Sequence, residues 1–125
     1  MEVRFPMILD GSTGTQLQKR GFDGSVSAEE WVLAHPEAIH DIQATYVKVG
    51  SHAVYAPTFG ANRTKLESHG LFGKVDEFNK QLVAISREGL AGNGWVAGDI
   101  APTGKFLYPL GEPVPGTAQR LVVQK

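Results

Sequence analysis

The sequence predicts an α/β fold with parallel strands, and two observations support this prediction. Three short apolar runs, residues 7–9, 53–56 and 95–98, each lead into a loop that is rich in Gly and polar residues. Amphipathic helical segments fill both intervals between these runs. Because strands that alternate with helices form parallel sheets, we expect the three runs to be adjacent parallel strands of one sheet.

The first apolar run leads into a Gly-rich turn, which predicts a helix over about residues 15–20. The turn comprises Asp10, Gly11, Ser12 and Thr13. Backbone amides at a helix start can bind an anion, a carboxylate included, and a tight turn with a capping Ser is an equal alternative. The Asp10 carboxylate can accept hydrogen bonds from an amine ligand or cap the helix. Asp99, after the third run, leaves the same two alternatives open.

Capping residues and apolar periodicity predict the helices. Ser27 and Glu30 form a capping-box pattern, which predicts a short helix. Pro36 suits the first position of the next helix, which carries one apolar stripe at Ile39, Ile42, Tyr46 and Val49. A second stripe predicts a helix that runs to about residue 91, with Val75, Phe78, Leu82 and Ile85 on one face. We also expect a helix over residues 62–69.

The central stretch of the chain joins a helix end, a buried strand and a candidate functional loop. Gly50 favours the helix end, since it enters the left-handed conformation at low cost. Pro57 has no N–H for a ladder and therefore predicts the end of the strand. Thr58, Phe59 and Asn62 follow on a loop, where α/β folds and α/β barrels carry their chemistry. A simple packing role stays the alternative for Phe59.

Composition and charge exclude several function classes. The 125 residues carry a net charge of −1 and no basic run, so nothing favours nucleic acid or a membrane as a partner. The absence of Cys excludes Cys-ligated zinc and thiol catalysis from the chain's own residues. The four His lack metal-ligand spacing. We expect a cytoplasmic location, because we find neither a signal-peptide pattern nor a membrane span.

Four segments, in this order and at these intervals, resemble the start of a homocysteine S-methyltransferase domain. They are ILDGSTGT, HPEAI, APTFGANRTKLESHG and GDIAPTGKFLYPLGE. The family includes cobalamin-dependent methionine synthase and betaine–homocysteine methyltransferase, and the likeness to the methionine synthase branch is the closer one. The resemblance covers about residues 7–112.

The resemblance implies a fold, an activity and cofactors. The fold is a (β/α)8 TIM barrel, of which this chain would supply about three N-terminal βα units. The activity is methyl transfer to the homocysteine thiol to give methionine, a step of methionine biosynthesis. In the full-length family, zinc held by cysteines of later strands binds the thiolate. The methionine synthase branch implies methylcobalamin, carried by other domains, as a methyl donor.

The resemblance also implies roles for residues of this chain. Asp10 would bind the substrate amino group, and the amides of the Gly11, Ser12 and Thr13 turn would bind its carboxylate. Thr58, Phe59, Asn62 and Asp99 would shape the homocysteine pocket. No residue of this chain would be a metal ligand or act in catalysis. Pro57 and Ala101 depart from the family, which commonly has Asn and Gly at these places.

We expect residues 1–112 to be a partial homocysteine-binding domain and residues 113–125 to be a divergent C-terminal tail. A truncated member of this kind, from a broken or split gene or cut from a longer protein, would be inactive alone. Two alternatives stay open. The chain could be a non-catalytic half-barrel that is completed by a partner chain or by self-association. It could also be a small anion- or nucleotide-binding α/β domain, although residues 98–105 do not match the P-loop spacing.

Overall fold

A computed structural model describes residues 2–106 and 110–111 of the chain. Within these residues, three helices precede the first strand and two helices separate it from the second. The elements are α1 (Gly14–Lys19), α2 (Ala28–Ala34), α3 (Pro36–Lys48), β1 (Ala53–Tyr55), α4 (Arg63–Ser68), α5 (Val75–Leu90) and β2 (Trp95–Ala97). None of the described helices is long and apolar enough to cross a membrane. The tail predicted over residues 113–125 lies outside the described residues.

Strands β1 and β2 are parallel, as predicted, with Ala53 opposite Trp95 and Tyr55 opposite Ala97. Each is one residue shorter than predicted, and the Ala56 N–H still donates to the Ala97 carbonyl at 2.8 Å. The two strands therefore bring their carboxyl ends to the same edge of the sheet. Loops that follow them lie side by side at that edge.

The predicted strand at residues 7–9 is wrong in extent, because only one parallel bridge forms there, between Leu9 and Ala53. Two features limit this ladder. Pro6 has no N–H to donate, and the N–H of Ile8 is taken by the side chain of His52, at 2.9 Å from Nδ1. Three sheet-forming segments are thus parallel, but the described sheet has two strands. Closure into a barrel stays a prediction.

Helix α3 begins and ends where the sequence predicts. Pro36 occupies its first turn, where a missing N–H costs no intrahelical hydrogen bond. Ile39 and Ile42 are buried as predicted, but Val49 is 75% exposed. Val49 follows the last residue of α3. Its side chain therefore does not continue the apolar face that the helical periodicity predicted. Gly50 follows with φ +114°, which glycine adopts without strain.

Helix α5 packs against α3 and forms the other half of the main interface. Phe78, Leu82 and Ile85 are buried as predicted. A Cβ at Gly89 would lie 2.7 Å from Cδ2 of His40 on α3, so the absence of a side chain there allows the two helices to approach. The core is one cluster to which all five helices contribute, from Leu17 on α1 to Ile85 on α5.

Candidate functional site

A cavity of about 350 Å³ lies at the carboxyl edge of the sheet. The residues that line it include the acidic Asp10, Glu29 and Asp99 and the apolar Leu17 and Val32. Asp10 follows the bridge at Leu9, and Asp99 follows β2, so the parallel direction of the segments is what brings them together. Glu29 reaches the same cavity from helix α2.

Asp10 presents one oxygen to the sheet and leaves the other without a partner. Its Oδ1 accepts a hydrogen bond from the backbone N–H of Tyr55 at 3.2 Å. Its Oδ2 is buried and has no hydrogen-bond partner among the described residues. Helix α1 is capped at Thr13 without a side-chain hydrogen bond, so the Asp10 carboxylate bonds to β1 and does not cap the helix.

The environment of Asp10 disfavours its ionised form. Burial raises the pKa of the Asp10 carboxyl above its ordinary value, the Tyr55 backbone hydrogen bond partly opposes this, and the Asp99 charge raises it further. A group that donates hydrogen bonds or carries positive charge in the cavity would stabilise the carboxylate. The site is therefore suited to an ammonium group beside Asp10.

The turn after Asp10 is fixed by a tyrosine from α3. The hydroxyl of Tyr46 donates to the backbone carbonyl of Ser12 at 2.8 Å, and a Cβ at Gly11 would lie 2.9 Å from the same hydroxyl oxygen. Gly11 and Thr13 line the cavity, whereas Ser12 is exposed and does not. Its hydroxyl contacts that of Thr15. Tyr46 was assigned to the apolar stripe from sequence, and its role at the turn was missed.

Thr58 and Asn62, which were predicted for the pocket, lie outside its lining. Thr58 is buried, and its hydroxyl donates to the Asp99 carbonyl at 3.0 Å and accepts from the Asp99 N–H at 3.1 Å. Asn62 is also buried and caps α4, since its Oδ1 accepts from the Lys65 N–H at 2.9 Å. Neither side chain lines the cavity. Thr58 connects the loop after β1 to the loop after β2, whereas Asn62 acts locally as the cap of α4.

Of the candidates after β1 and β2, the structure brings Phe59 and Asp99 to the cavity. Phe59 is 56% exposed, so it is not a core packing residue. Together with Asp10, Gly11 and Thr13, these are the predicted site residues that line the cavity.

Glu29 is the cavity residue that sequence reasoning missed. It is 7% exposed, and its Oε1 accepts a hydrogen bond from the Gly60 N–H at 2.6 Å. The capping pattern drew attention to Ser27 and Glu30, and the Ser27 hydroxyl does accept from the Glu30 N–H at 3.1 Å. Glu29 has the ordinary appearance of a first-turn acidic residue, and no local pattern separates it from its neighbour.

A family model described as homocysteine S-methyltransferase matches residues 7–123. The chain belongs to the homocysteine S-methyltransferase family. This confirms the resemblance drawn from the four sequence segments. The match continues through residues 113–123, and the domain boundary at residue 112 stays a prediction.

Individual relatives agree with this assignment. The chain is 31% identical over 105 residues to an S-methylmethionine–homocysteine S-methyltransferase from Pongo abelii, a match that covers 82% of this chain and 27% of that protein. It is 31% identical over 108 residues to betaine–homocysteine S-methyltransferase 1 from Danio rerio, with 81% and 26% covered. The chain therefore spans about a quarter of the length of these relatives.

Solved structures of the homocysteine methyltransferase MmuM from Escherichia coli have a similar fold. The oxidised form aligns with a TM-score of 0.67 at 25% identity and covers 78% of this chain and 38% of that one. The metallated form aligns with a TM-score of 0.66. This chain of the homocysteine S-methyltransferase family thus has an α/β fold with parallel strands that is similar to part of a larger family member.

The described residues do not fit the zinc site that the resemblance implies. The chain has no Cys, and among the described residues no group of three His, Asp or Glu is placed to hold a metal ion. His52 accepts the Ile8 N–H through Nδ1, and His35 stacks on Trp31 with ring centroids 4.1 Å apart. These two histidines have packing and hydrogen-bonding roles within the fold.

Proposed function

We propose that this chain provides the amino acid-binding part of a homocysteine S-methyltransferase site. In a complete domain the reaction would transfer a methyl group to the homocysteine thiol and give methionine. Two observations carry the proposal: Asp10 lines the cavity, and its buried Oδ2 has no hydrogen-bond partner among the described residues. A ligand ammonium group would supply the missing donor.

The ammonium group of homocysteine would lie between Asp10 and Asp99. Both residues line the same cavity, and the Asp99 charge contributes to the raised pKa of Asp10 after the larger effect of burial. A cation placed between them would attract both carboxylates, lower the pKa of Asp10 and keep it ionised. The same three carboxylates disfavour a nucleotide phosphate in this cavity, which makes the small nucleotide-binding domain the weaker alternative.

The carboxylate of homocysteine would bind the turn formed by Gly11, Ser12 and Thr13. Gly11 and Thr13 line the cavity, and Tyr46 holds the turn through the Ser12 carbonyl. A turn that is fixed before binding loses less conformational entropy when the ligand arrives. Phe59 would cover the aliphatic part of the ligand from the open side of the cavity.

The thiol end of homocysteine would be served from outside this chain. The resemblance implies zinc for that end, and the described residues do not fit a zinc site, so we assign no catalytic residue here. Methyl transfer by the chain alone is not part of the proposal. Completion of the site by a partner chain or by self-association, methylcobalamin as the methyl donor, and a cytoplasmic location stay predictions.

The proposed contacts set the scale of the affinity. Two charge-assisted hydrogen-bonding contacts contribute about 1.5–3 kcal/mol each. Since association itself costs several kcal/mol, we expect homocysteine to bind with a Kd of about 1 mM or weaker. Methionine should bind about equally well, because it has the same amino acid end and the chain has no metal for the thiol.

Chemical-shift titration of the chain with homocysteine and with methionine tests the proposal. We expect both ligands to shift the amides of residues 10–13, and we expect Asp10→Asn to abolish these shifts while the spectrum of the folded chain is retained. Asp41→Asn is the control, because Asp41 is an exposed residue that pairs with Arg20 away from the cavity. Equal responses in the wild-type chain and Asp10→Asn would contradict the proposal.

A further inference from the structure

Phe59 reaches the cavity on the loop between β1 and α4, and this loop is held from helix α2. The Gly60 N–H, next to Phe59 in the chain, donates to Oε1 of Glu29 at 2.6 Å. The two residues are separated by 31 positions in sequence, so the contact joins two segments that local structure does not otherwise connect. A hydrogen bond to a charged carboxylate is shorter and stronger than one to a neutral acceptor.

The space around Gly60 is shaped to this contact. A Cβ at residue 60 would lie 2.6 Å from Oε1 and 2.8 Å from Oε2 of Glu29. Any side chain there would therefore push the Glu29 carboxylate away. The contact requires both a glycine at residue 60 and an acceptor of the length of Glu at residue 29.

The N-terminus of helix α2 is capped by a residue other than Glu29. Ser27 caps the helix through the Glu30 N–H, and Glu29 forms no ion pair among the described residues. A carboxylate that is 7% exposed and has no cationic partner is unfavourable for folding. The hydrogen bond from the Gly60 amide compensates part of this cost. The structural effect of Glu29 is therefore to fix the position of the loop.

We propose that Glu29 is a positioning residue of the substrate cavity. It acts through the Gly60 amide, which fixes the loop and thereby holds Phe59 over the amino acid-binding part of the site. This inference rests on the proposed function for the identity of the ligand. The geometry of the loop itself can be measured without any ligand.

Hydrogen exchange of the Gly60 amide tests the contact in the free chain. Glu29→Leu removes the acceptor, and we expect the Gly60 amide to exchange about 10- to 100-fold faster. Glu29→Gln keeps an acceptor oxygen at the same length and should restore slow exchange. Glu30→Leu is the matched control, because Glu30 is the adjacent residue of α2 and does not line the cavity. It should leave Gly60 unchanged.

Gly60→Ala is a second route to the same result. Its Cβ should displace the Glu29 carboxylate, whose atoms end a flexible side chain, without a large shift of the backbone. We expect Glu29→Leu and Gly60→Ala each to weaken homocysteine binding about tenfold, and their combination to weaken it no further. Glu29→Gln should bind homocysteine within about twofold of the wild-type chain, because positioning needs the acceptor and not the charge.

The measurements test the positioning role of Glu29 and the proposed binding of homocysteine separately. Equal Gly60 exchange in Glu29→Leu and the wild-type chain would overturn the positioning role. Equal weakening of homocysteine binding by Glu29→Gln and Glu29→Leu would overturn it too, since Glu29 would then contact the ligand through its charge. A wild-type chain that binds no homocysteine would contradict the proposed function, and Gly60 exchange across the variants would then decide the positioning role.

Discussion

The helical core and the cavity edge of this chain are held together by different kinds of interaction. At the α3–α5 interface, Ile39, Leu82 and Ile85 are buried among other apolar side chains. At the cavity edge, single hydrogen bonds connect segments that are 31 to 41 residues apart, such as Glu29 with Gly60 and Thr58 with Asp99. Many weak contacts stabilise the first region, and a few specific ones determine the shape of the second.

This difference separates stability from site geometry. Apolar burial is approximately proportional to area and is not directional, so a loss in the core lowers the stability of the whole chain. A hydrogen bond between loops is directional, so its loss changes the position of particular side chains. Substitutions in the two regions should therefore have different effects on unfolding and on the cavity.

Leu82→Ala should have the largest effect. Leu82 is completely buried, and a truncated leucine in a packed core costs about 2–5 kcal/mol of unfolding free energy. Urea unfolding followed by circular dichroism measures this loss. Gln81→Ala, at the exposed neighbouring position of α5, is the control and should change the unfolding free energy by less than about 0.5 kcal/mol. Equal effects of the two variants would show that α5 does not form the core.

Thr58→Val should have an intermediate effect that is concentrated at the cavity edge. Valine has nearly the shape of threonine, but it removes the hydroxyl that bonds both the N–H and the carbonyl of Asp99. Loss of a partner for buried polar groups costs about 1–3 kcal/mol. Unfolding measurements give the total, and amide chemical shifts around residue 99 report the local change.

Thr58→Ser is the control for this substitution, because it retains the hydroxyl and deletes one methyl group. We expect it to keep the wild-type chemical shifts around residue 99. If Thr58→Val also left those shifts unchanged, the hydroxyl would not connect the two loops, and the contrast between the two regions would fail.

The same contrast explains what the sequence could predict. Helices α3 and α5 follow from apolar periodicity and from the residues that begin and end them, which are local features of the chain. The strand predicted at residues 7–9 was wrong in extent, since the His52 side chain takes the Ile8 N–H and one parallel bridge remains, between Leu9 and Ala53. No local pattern contains a contact of that kind.

The same limit applies to the site, where local patterns were predictable from sequence and tertiary contacts were not. Asp10 and Asp99 follow sheet-forming segments, and parallel strands bring such positions together, so their common cavity was foreseeable. The contribution of Glu29 was not, because it depends on how α2 lies against a loop 31 residues later. Thr58 and Asn62 do not line the cavity: the Thr58 hydroxyl bonds to the Asp99 backbone, a contact 41 residues away in sequence, and Asn62 caps α4.

Asp10→Asn should have the smallest effect on stability, and the size of this effect should depend on pH. Burial and the Asp99 charge raise the pKa of Asp10 in the folded chain above its ordinary value of 3.8. The folded chain therefore holds this proton more tightly than the unfolded chain does. By linkage, the stability contributed by Asp10 is present below the unfolded pKa and is lost as pH rises through the folded pKa.

Asparagine cannot ionise, but its side-chain oxygen can still accept the Tyr55 N–H that Oδ1 of Asp10 accepts now. The wild-type chain and Asp10→Asn should thus have similar unfolding free energies near pH 3, and Asp10→Asn should become the more stable chain as pH rises to 7. Urea unfolding of both chains across this range isolates the difference, since all other titrating groups are shared. A wild-type chain that gained stability relative to Asp10→Asn with rising pH would mean that the ionised carboxylate has a partner in the folded chain. The unpartnered Oδ2 of Asp10 would then not describe the folded chain, and the reason to place an ammonium group in the cavity would be lost.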